Sequence, residues 1–125
     1  MDANVSQALS QGQVIDITTT GRRTGQPRRI EIVFHNIDGR IYITGMPRSD
    51  RARAWLQNLE ADPAMTFHLK GDISADLPAT ARVITDPLER RAIFDWVTTH
   101  AWKQDPEAML AHSPLVEVTF QGAAA

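Results

Sequence analysis

Four arginines lie within the ten residues TGRRTGQPRR at positions 20–29, together with two glycines and one proline. Gly21 and Gly25 permit backbone conformations that bring N–H groups close to an anion. Guanidinium groups make forked, charge-assisted hydrogen bonds to phosphate oxygens, and the candidates are Arg22, Arg23 and Arg28 or Arg29. This segment, the arginine loop, therefore indicates a phosphate site. A solvated hairpin loop is the alternative, because the spacing is not that of a Walker loop.

A second basic stretch, MPRSDRAR, runs from Met46 to Arg53 and leads into a predicted helix. The N-terminus of a helix attracts anions through its free N–H groups and its dipole. Arg48 is the candidate here, whereas Arg51 and Arg53 also suit the solvated face of an ordinary capped helix. Two basic loops in one small chain strengthen the case for a shared phosphate site.

The helix after this stretch carries two further candidates. Ser49 is the predicted N-cap, and apolar residues at i, i+3, i+4 and i+7 define an amphipathic helix that ends near Pro63. Trp55 lies on the apolar stripe and suits either the core or a ligand contact. The carboxamide of Asn58 suits either a hydrogen bond to a polar ring or the polar border of the helix.

Other reaction chemistries find little support in this sequence. There is no cysteine, which excludes disulfides, thiolate metal sites and cysteine nucleophiles. The four histidines are His35, His68, His100 and His112, and none has a second histidine at metal-ligand spacing. This histidine spacing predicts no metal site. No G-x-S-x-G or G-x-G-x-x-G motif is present, which argues against a nucleophile elbow and a Rossmann domain but leaves Ser-His-Asp catalysis open.

Composition limits the class of protein. The chain has 125 residues, 42% of them hydrophobic, which suits one soluble globular domain. Its net charge of -2 argues against nucleic-acid binding, and eight of the eleven arginines fall between Arg22 and Arg53, which favours a discrete anionic ligand. We find no long apolar run and no secretory signal in the first residues, so a cytoplasmic location is expected.

Hydrophobic alternation predicts six strands. These are residues 13–19, 29–36, 40–44, 64–70, 79–85 and 115–120, with a hairpin turn at 36–39 and a polar loop before residue 79. Besides the helix before Pro63, the capping signals at Asp86 and Asp105 predict two further helices. We therefore expect a mainly β fold with flanking helices and an antiparallel sheet able to form a small barrel. The predicted domain spans residues 13–121, after an N-terminal segment of 1–12 and before a disordered tail of 122–125.

Three segments together resemble the deazaflavin-dependent nitroreductase family. They are ITTTGRRTGQPRRIEIVF, GRIYITG and RARAWLQNLEADPAMTFHLKG. The family pattern T-T-G-R-x-[ST]-G-x-x-R is matched by Thr19 to Gly25 with Arg28, and W-x-x-N-L-x-A-x-P is matched from Trp55 to Pro63. The similarity covers roughly residues 14–86.

The resemblance implies an antiparallel six-stranded split β-barrel of the FMN-binding pyridoxine-phosphate-oxidase-like group. The cofactor would be a reduced deazaflavin of the F-420 type, with FMN as the alternative. The implied cofactor-binding residues are Arg23, Thr24, Gly25, Arg28, Ile30, Ile32, Met46, Arg48, Trp55 and Asn58. Arg23, Thr24 and Arg28 would contact phosphate, the strand around Ile30–Val33 would lie beside the ring, and Arg48 would replace a lysine of the family's second loop.

The implied activity is hydride transfer to a small organic acceptor such as a quinone, a nitroaromatic or an enone. No side chain is identified as catalytic, because the cofactor carries the hydride. A homodimer is left open by the resemblance. The alternative from another class is a non-catalytic barrel that binds an apolar ligand, either a fatty acid or haem.

Overall fold

The structure is a computed structural model that describes residues 2–48 and 53–121. The described strands are β1 (Val14–Thr20), β2 (Pro27–Ile37), β3 (Arg40–Thr44), β4 (Ala64–Lys70), β5 (Ser74–Val83) and β6 (Leu115–Phe120). The helices are α1 (Ala3–Leu9), α2 (Ala54–Ala61), α3 (Pro87–His100) and α4 (Pro106–His112). None of these helices is long and apolar enough to cross a membrane.

The six strands form a closed barrel in the order β1-β2-β3-β6-β5-β4, and every neighbouring pair is antiparallel. The predicted mainly β, antiparallel barrel with flanking helices is confirmed. Short connections make this arrangement natural, since antiparallel strands can be joined by tight turns whereas parallel strands need long crossovers.

The alternating apolar residues of the strands fill the barrel interior. Ile15 and Ile17 of β1 are fully buried, as are Phe34 of β2 and Phe67 of β4. The rings of Phe34 and Phe67 meet edge to face with centroids 5.3 Å apart, a favoured aromatic geometry. Burial of each such side chain contributes about 1.5–3 kcal/mol, so this packing stabilises the frame that carries the site.

The predicted hairpin between β2 and β3 is confirmed. Asp38 and Gly39 are the two residues between the strands, with φ of 52° and 86°. Positive φ at both positions is characteristic of a tight turn whose twist matches the strands. The side-chain oxygen of Asn36 accepts a hydrogen bond from the Gly39 N–H at 2.9 Å, which stabilises the turn.

Two local predictions were wrong, and one helix was not predicted. β5 begins at Ser74, not at residue 79, because the polar residues before Pro78 are the exposed half of a strand whose other half is Ala75 and Leu77. Residues 3–9 form a helix whose Leu9 is buried in the core, although the sequence analysis predicted no helix there. α2 begins only at Ala54, after Arg53 in extended backbone. The predicted N-cap, Ser49, lies outside the described residues, as does the predicted disordered tail 122–125.

Helices α3 and α4 pack together beside the barrel through a second apolar cluster that includes Phe94 and Met109. The Arg90 guanidinium joins them, because it donates to the carbonyl oxygens of Leu110 at 2.9 Å and Ser113 at 2.8 Å. It therefore satisfies carbonyl groups that the end of α4 leaves without helical partners. Arg90 of α3 thereby holds the end of α4 in place.

Candidate functional site

A cleft of about 310 Å³ lies between the arginine loop, the start of β2 and helix α2. Its described lining is Gly21, Arg22, Arg23, Thr24, Arg28, Ile30, Ala54, Trp55 and Asn58. That lining has three arginines and no acidic residue. None of the three forms an ion pair with another described residue. Among the described residues, the cleft therefore combines a positive rim that has no ion-pair partner with an apolar wall.

The arginine loop has a defined backbone geometry. The Gly21 N–H donates to the Gln26 carbonyl at 2.8 Å, and the Gly25 N–H donates to the Gly21 carbonyl at 2.8 Å. Gly25 has φ of 71°, which favours glycine. The N–H groups of Arg23 and Thr24 make no hydrogen bond with the rest of the described chain. Successive N–H groups of a turn without protein partners are a feature typical of anion-binding loops.

Asn58 of α2 is hydrogen-bonded to the arginine loop. It is 4% exposed, and its side-chain oxygen accepts a hydrogen bond from the Arg22 N–H at 3.1 Å. Its side-chain nitrogen donates to the hydroxyl of Thr19 at 3.1 Å, and Thr19 is also buried. The carboxamide therefore joins α2 to the end of β1 and to the first residue of the turn. It does not lie on a polar border of the helix.

The structure distinguishes Arg28 from Arg29. Arg28 lines the cleft, whereas the Nε of Arg29 donates to the Asp16 carboxylate at 3.0 Å on the outside of the barrel. Lys70 also donates to Asp16, at 2.7 Å. These hydrogen bonds, the Lys70 bond first and then the Arg29 bond, lower the pKa of Asp16 below its usual range. Alternation along β2 sends successive arginines to opposite faces.

The structure brings six of the ten predicted site residues together in the cleft: Arg23, Thr24, Arg28, Ile30, Trp55 and Asn58. Trp55 has both roles considered for it, because it belongs to the core cluster and also lines the cleft. Gly25 shapes the loop outside the described lining, and Ile32 packs partly buried against the barrel core. Gly21, Arg22 and Ala54 also line the cleft.

Met46 and Arg48 lie beside the turn that follows α4. The Arg53 guanidinium donates to the carbonyl oxygens of Met46 and His112, and the Arg48 N–H donates to the His112 carbonyl at 3.4 Å. Neither Met46 nor Arg48 belongs to the described lining of the cleft. The intervening residues 49–52, with the candidate Arg51, lie outside the described residues.

The first half of β2 has an open edge. Residues 27–33 pair with β1, but pairing with β3 starts only where Val33 faces Thr44. In an antiparallel ladder alternate residues direct their N–H and C=O groups to opposite sides. Residues 27–32 therefore present backbone hydrogen-bonding groups at an edge that no described strand covers. The edge begins beside Arg28 and ends at Val33.

An aromatic cavity of about 420 Å³ lies farther along β2, and the sequence analysis did not identify it. Its described lining is Ser10, Gln11, Gly12, Val33, Phe34, His35, Asn36, Trp96, His100, Ala101 and Trp102. Trp96 and His100 stack with ring centroids 4.6 Å apart. The concentration of tryptophan and histidine at 96–102 was the available signal, but nothing in the pattern linked it to β2.

His35 is the most deeply buried histidine of this cavity. It is 4% exposed, and its Nε2 atom has no hydrogen-bond partner in the described chain. The ring meets Trp102 edge to face with centroids 5.0 Å apart. Burial lowers the pKa of His35 below its ordinary value of 6.5, so the imidazole is neutral near pH 7.

The donor set suits an organic cofactor with a phosphate group. The described residues contain no group of three or more histidines and carboxylates placed to hold a metal ion. The cleft instead offers free N–H groups at Arg23 and Thr24, arginine side chains, and an apolar wall from Ile30 and Trp55. A phosphate group fits the first two features, and the adjoining apolar part of a ligand fits the third.

The chain is similar to a known protein family and to several proteins of known structure. Residues 1–119 match the model of the family described as F420H(2)-dependent quinone reductase. An F420-H2-dependent reductase of known structure is similar at 20% identity and a TM-score of 0.61, over 85% of this chain and 93% of that chain. A conserved hypothetical protein from Mycobacterium tuberculosis is similar at 19% identity and a TM-score of 0.69, over 97% of this chain and 81% of the other.

A third structure, described as a domain-swapped dimer, is similar at 19% identity and a TM-score of 0.63, over 93% of this chain and 91% of that chain. At these identities the three structures support the barrel fold alone. The family model matches nearly the whole sequence, so membership of the family indicates the chemistry as well as the fold. The chain therefore belongs to the F420H2-dependent quinone reductase family and is an oxidoreductase that uses a deazaflavin cofactor of the F420 type.

Proposed function

We propose that this chain transfers a hydride from the reduced deazaflavin to a planar organic acceptor with a polar oxygen, such as a quinone, a nitroaromatic or an enone. The observation that carries the proposal is the order of three features along β2. The cationic cleft at Arg28, the open edge of residues 27–32 and the aromatic cavity at Val33 follow one another on a single strand.

In this proposal, the arginine loop binds the phosphate of the cofactor. Arg23, Thr24 and Arg28 supply the contacts, through guanidinium groups and through the free N–H groups of the turn. Arg22 lines the same cleft, and its backbone N–H is already bonded to Asn58. Charge-assisted hydrogen bonds of this kind contribute about 1.5–3 kcal/mol each, enough to determine where the cofactor is anchored.

The ring of the cofactor then lies along the open edge of β2. The N–H and C=O groups of Glu31 are available there on the side away from β1, because the Phe34 N–H donates to the Gln13 carbonyl and residues 30 and 32 therefore also face β1. Val33 is five positions after Arg28, which corresponds to about 17 Å of extended strand. That span suits a tricyclic ring joined to a phosphorylated sugar-alcohol chain. Ile30 and Trp55 give the ring's side chain an apolar wall.

The acceptor occupies the aromatic cavity beside Val33. Trp96, Trp102 and His100 provide flat surfaces that suit a conjugated ring. The bound deazaflavin supplies the hydride, and the protein's part is to hold the acceptor face to face with it and to exclude water. This arrangement needs no nucleophile and no metal from the chain.

The proposal is tested by mixing the purified protein with chemically reduced deazaflavin and one acceptor at a time. Menadione, a nitroimidazole and cyclohexenone represent the three acceptor classes, and the return of the oxidised deazaflavin absorbance measures turnover. We expect turnover above the protein-free rate with at least menadione. Cofactor binding without turnover of any of the three would contradict the proposed acceptor classes.

Reduced FMN in the same assay tests the alternative cofactor. We expect weaker binding and slower turnover with FMN than with the deazaflavin. A fatty acid or haem that binds with no effect on the deazaflavin assay would have to occupy another part of the molecule. Tight binding of either ligand, together with no deazaflavin binding, would instead favour the non-catalytic carrier.

A homodimer is a further proposal, supported by the similar structure described as a domain-swapped dimer. Light scattering coupled to size-exclusion chromatography distinguishes a dimer from the 13.9 kDa monomer. A single monomeric species across the concentrations used for the activity assay would contradict it.

A further inference from the structure

We propose that His35 hydrogen-bonds an oxygen atom of the acceptor and so selects acceptors that carry a carbonyl or nitro oxygen. This inference rests on the proposed function, because it places the acceptor in the aromatic cavity. It adds a specific polar contact from a residue that lies outside the cofactor cleft and outside the motifs that indicated the family.

The unpaired nitrogen of His35 is the central observation. Its Nε2 atom is buried without a hydrogen-bond partner among the described residues. Buried polar groups are nearly always paired in folded proteins, and an exception calls for a ligand, a water or a catalytic role. Leaving such a group without a partner costs about 1–3 kcal/mol. A ligand that supplies the partner recovers this cost, which favours its binding.

The neutral state of the ring determines what kind of partner fits. A neutral imidazole has one N–H donor and one acceptor nitrogen. With the proton on Nε2, His35 donates to a carbonyl or nitro oxygen. The Nε2 atom is buried from solvent, and Trp102 packs against the imidazole ring. A hydrogen bond in such surroundings is shielded from water, which strengthens it.

Trp102 packs edge to face against the imidazole ring of His35. The Nε2 atom has no solvent contact, and the Trp102 ring lies at 5.0 Å from the imidazole centroid. Trp102 belongs to the irregular segment between the end of α3 at His100 and the start of α4 at Pro106, outside any helix. Displacement of its indole by a planar ligand exposes Nε2 and leaves the indole free to stack on that ligand.

The experiment compares two ligands of matched shape in the protein without deazaflavin. Menadione has two carbonyl oxygens, and 2-methylnaphthalene has the same ring framework without them. Binding is followed by the fluorescence of Trp96 and Trp102, which both line the cavity. We expect the natural protein to prefer menadione. His35→Phe should weaken menadione binding by roughly three- to tenfold and leave 2-methylnaphthalene binding unchanged.

His35→Gln is the second variant, since its side-chain amide retains an N–H donor. We expect it to recover most of the menadione affinity lost in His35→Phe. A purely structural role would instead weaken both ligands equally in both variants. Nitrogen-detected NMR of His35 gives a direct readout, because a new hydrogen bond moves the Nε2 resonance when menadione is added and 2-methylnaphthalene does not.

Equal menadione affinity in the natural protein and in His35→Phe would overturn the inference, as would an Nε2 resonance that menadione does not move. Neither measurement uses the deazaflavin. If the hydride-transfer assay fails but His35→Phe still weakens menadione binding, the result contradicts the proposed acceptor classes and not the role of His35. Turnover of menadione that is indifferent to His35 would contradict this inference alone.

Discussion

The side-chain oxygen of Asn58 accepts a hydrogen bond from the backbone N–H of Arg22 at 3.1 Å. A helix residue thereby determines where the arginine loop leaves β1. The same carboxamide donates to Thr19, so both of its polar atoms have partners within the protein. The role of Asn58 is therefore to position the loop.

Replacing Asn58 tests this positioning role. Asn58→Leu keeps the size of the side chain but leaves the Arg22 N–H and the Thr19 hydroxyl without partners. We expect the free energy of unfolding to fall by about 1–3 kcal/mol and the cofactor dissociation constant to rise roughly five- to thirtyfold. Denaturant titration and deazaflavin binding measure the two effects.

Gln57→Ala is the matched control, because Gln57 is adjacent on α2 and its side chain makes no hydrogen bond with the described residues. We expect this variant to bind the cofactor as the natural protein does. Equal dissociation constants for Asn58→Leu and Gln57→Ala would show that the loop holds its shape without the carboxamide.

Arg28 and Arg29 form a natural pair for testing the phosphate site. Arg28 lines the cleft, whereas Arg29 binds Asp16 on the opposite face of β2. Arg28→Ala should weaken cofactor binding by about 1.5–3 kcal/mol, the contribution of a charge-assisted hydrogen bond. Arg29→Ala removes the same charge from the neighbouring position and should have a small effect that disappears as salt is added. Calorimetric titration of both variants measures the difference. Similar losses in the two would indicate a diffuse positive field instead of a specific contact.

Gly25 tests how far the backbone conformation of the loop matters. Its φ of 71° is left-handed, although a Cβ at this position would meet no atom within 4 Å. Any loss on substitution is therefore due to conformation and not to a clash. Gly25→Ala should destabilise the protein by about 1–2 kcal/mol. Gly25→Asn should be milder, because asparagine tolerates this conformation. Urea denaturation of both variants measures the order, and an alanine variant as stable as the asparagine variant would contradict it.

The barrel was predictable because its signal is local. Alternation of apolar residues in β2 and the Asp38-Gly39 turn determine a hairpin without reference to the rest of the chain. The start of β5 was missed because its local signal is weak. Ala75 and Leu77 alternate inward only weakly, and Pro78 is a residue that usually ends a strand. Residues 74–77 form a strand because they pair with β4, and their own sequence does not predict this pairing.

The cleft and the aromatic cavity also differed in how far they could be predicted from the sequence. The cleft could be predicted in outline, since the arginine loop and the Trp55–Asn58 helix are each recognisable as short motifs. The aromatic cavity could not, because His35 and Trp102 are distant in sequence and meet only when α3 packs beside β2. The choice between Arg28 and Arg29 also required the register of β1 and β2.

The buried His35 makes stability depend on pH in a defined window. Its folded pKa lies below 6.5, so the unfolded chain binds more protons than the folded protein just below that pH. The free energy of unfolding should therefore fall as the pH is lowered through this window, by at most about 1.4 kcal/mol per pH unit. Asp16 has a lowered pKa as well, but its ordinary value of 3.8 places its contribution at more acidic pH.

His35→Gln removes this titration and leaves the rest of the cavity in place. Denaturant titrations of both proteins near neutral pH and at about pH 5 give the change in unfolding free energy for each. We expect the natural protein to lose more stability between the two conditions than the variant does. Parallel losses would mean that His35 binds a proton as readily in the folded protein as in the unfolded chain, which its burial beside Trp102 should prevent.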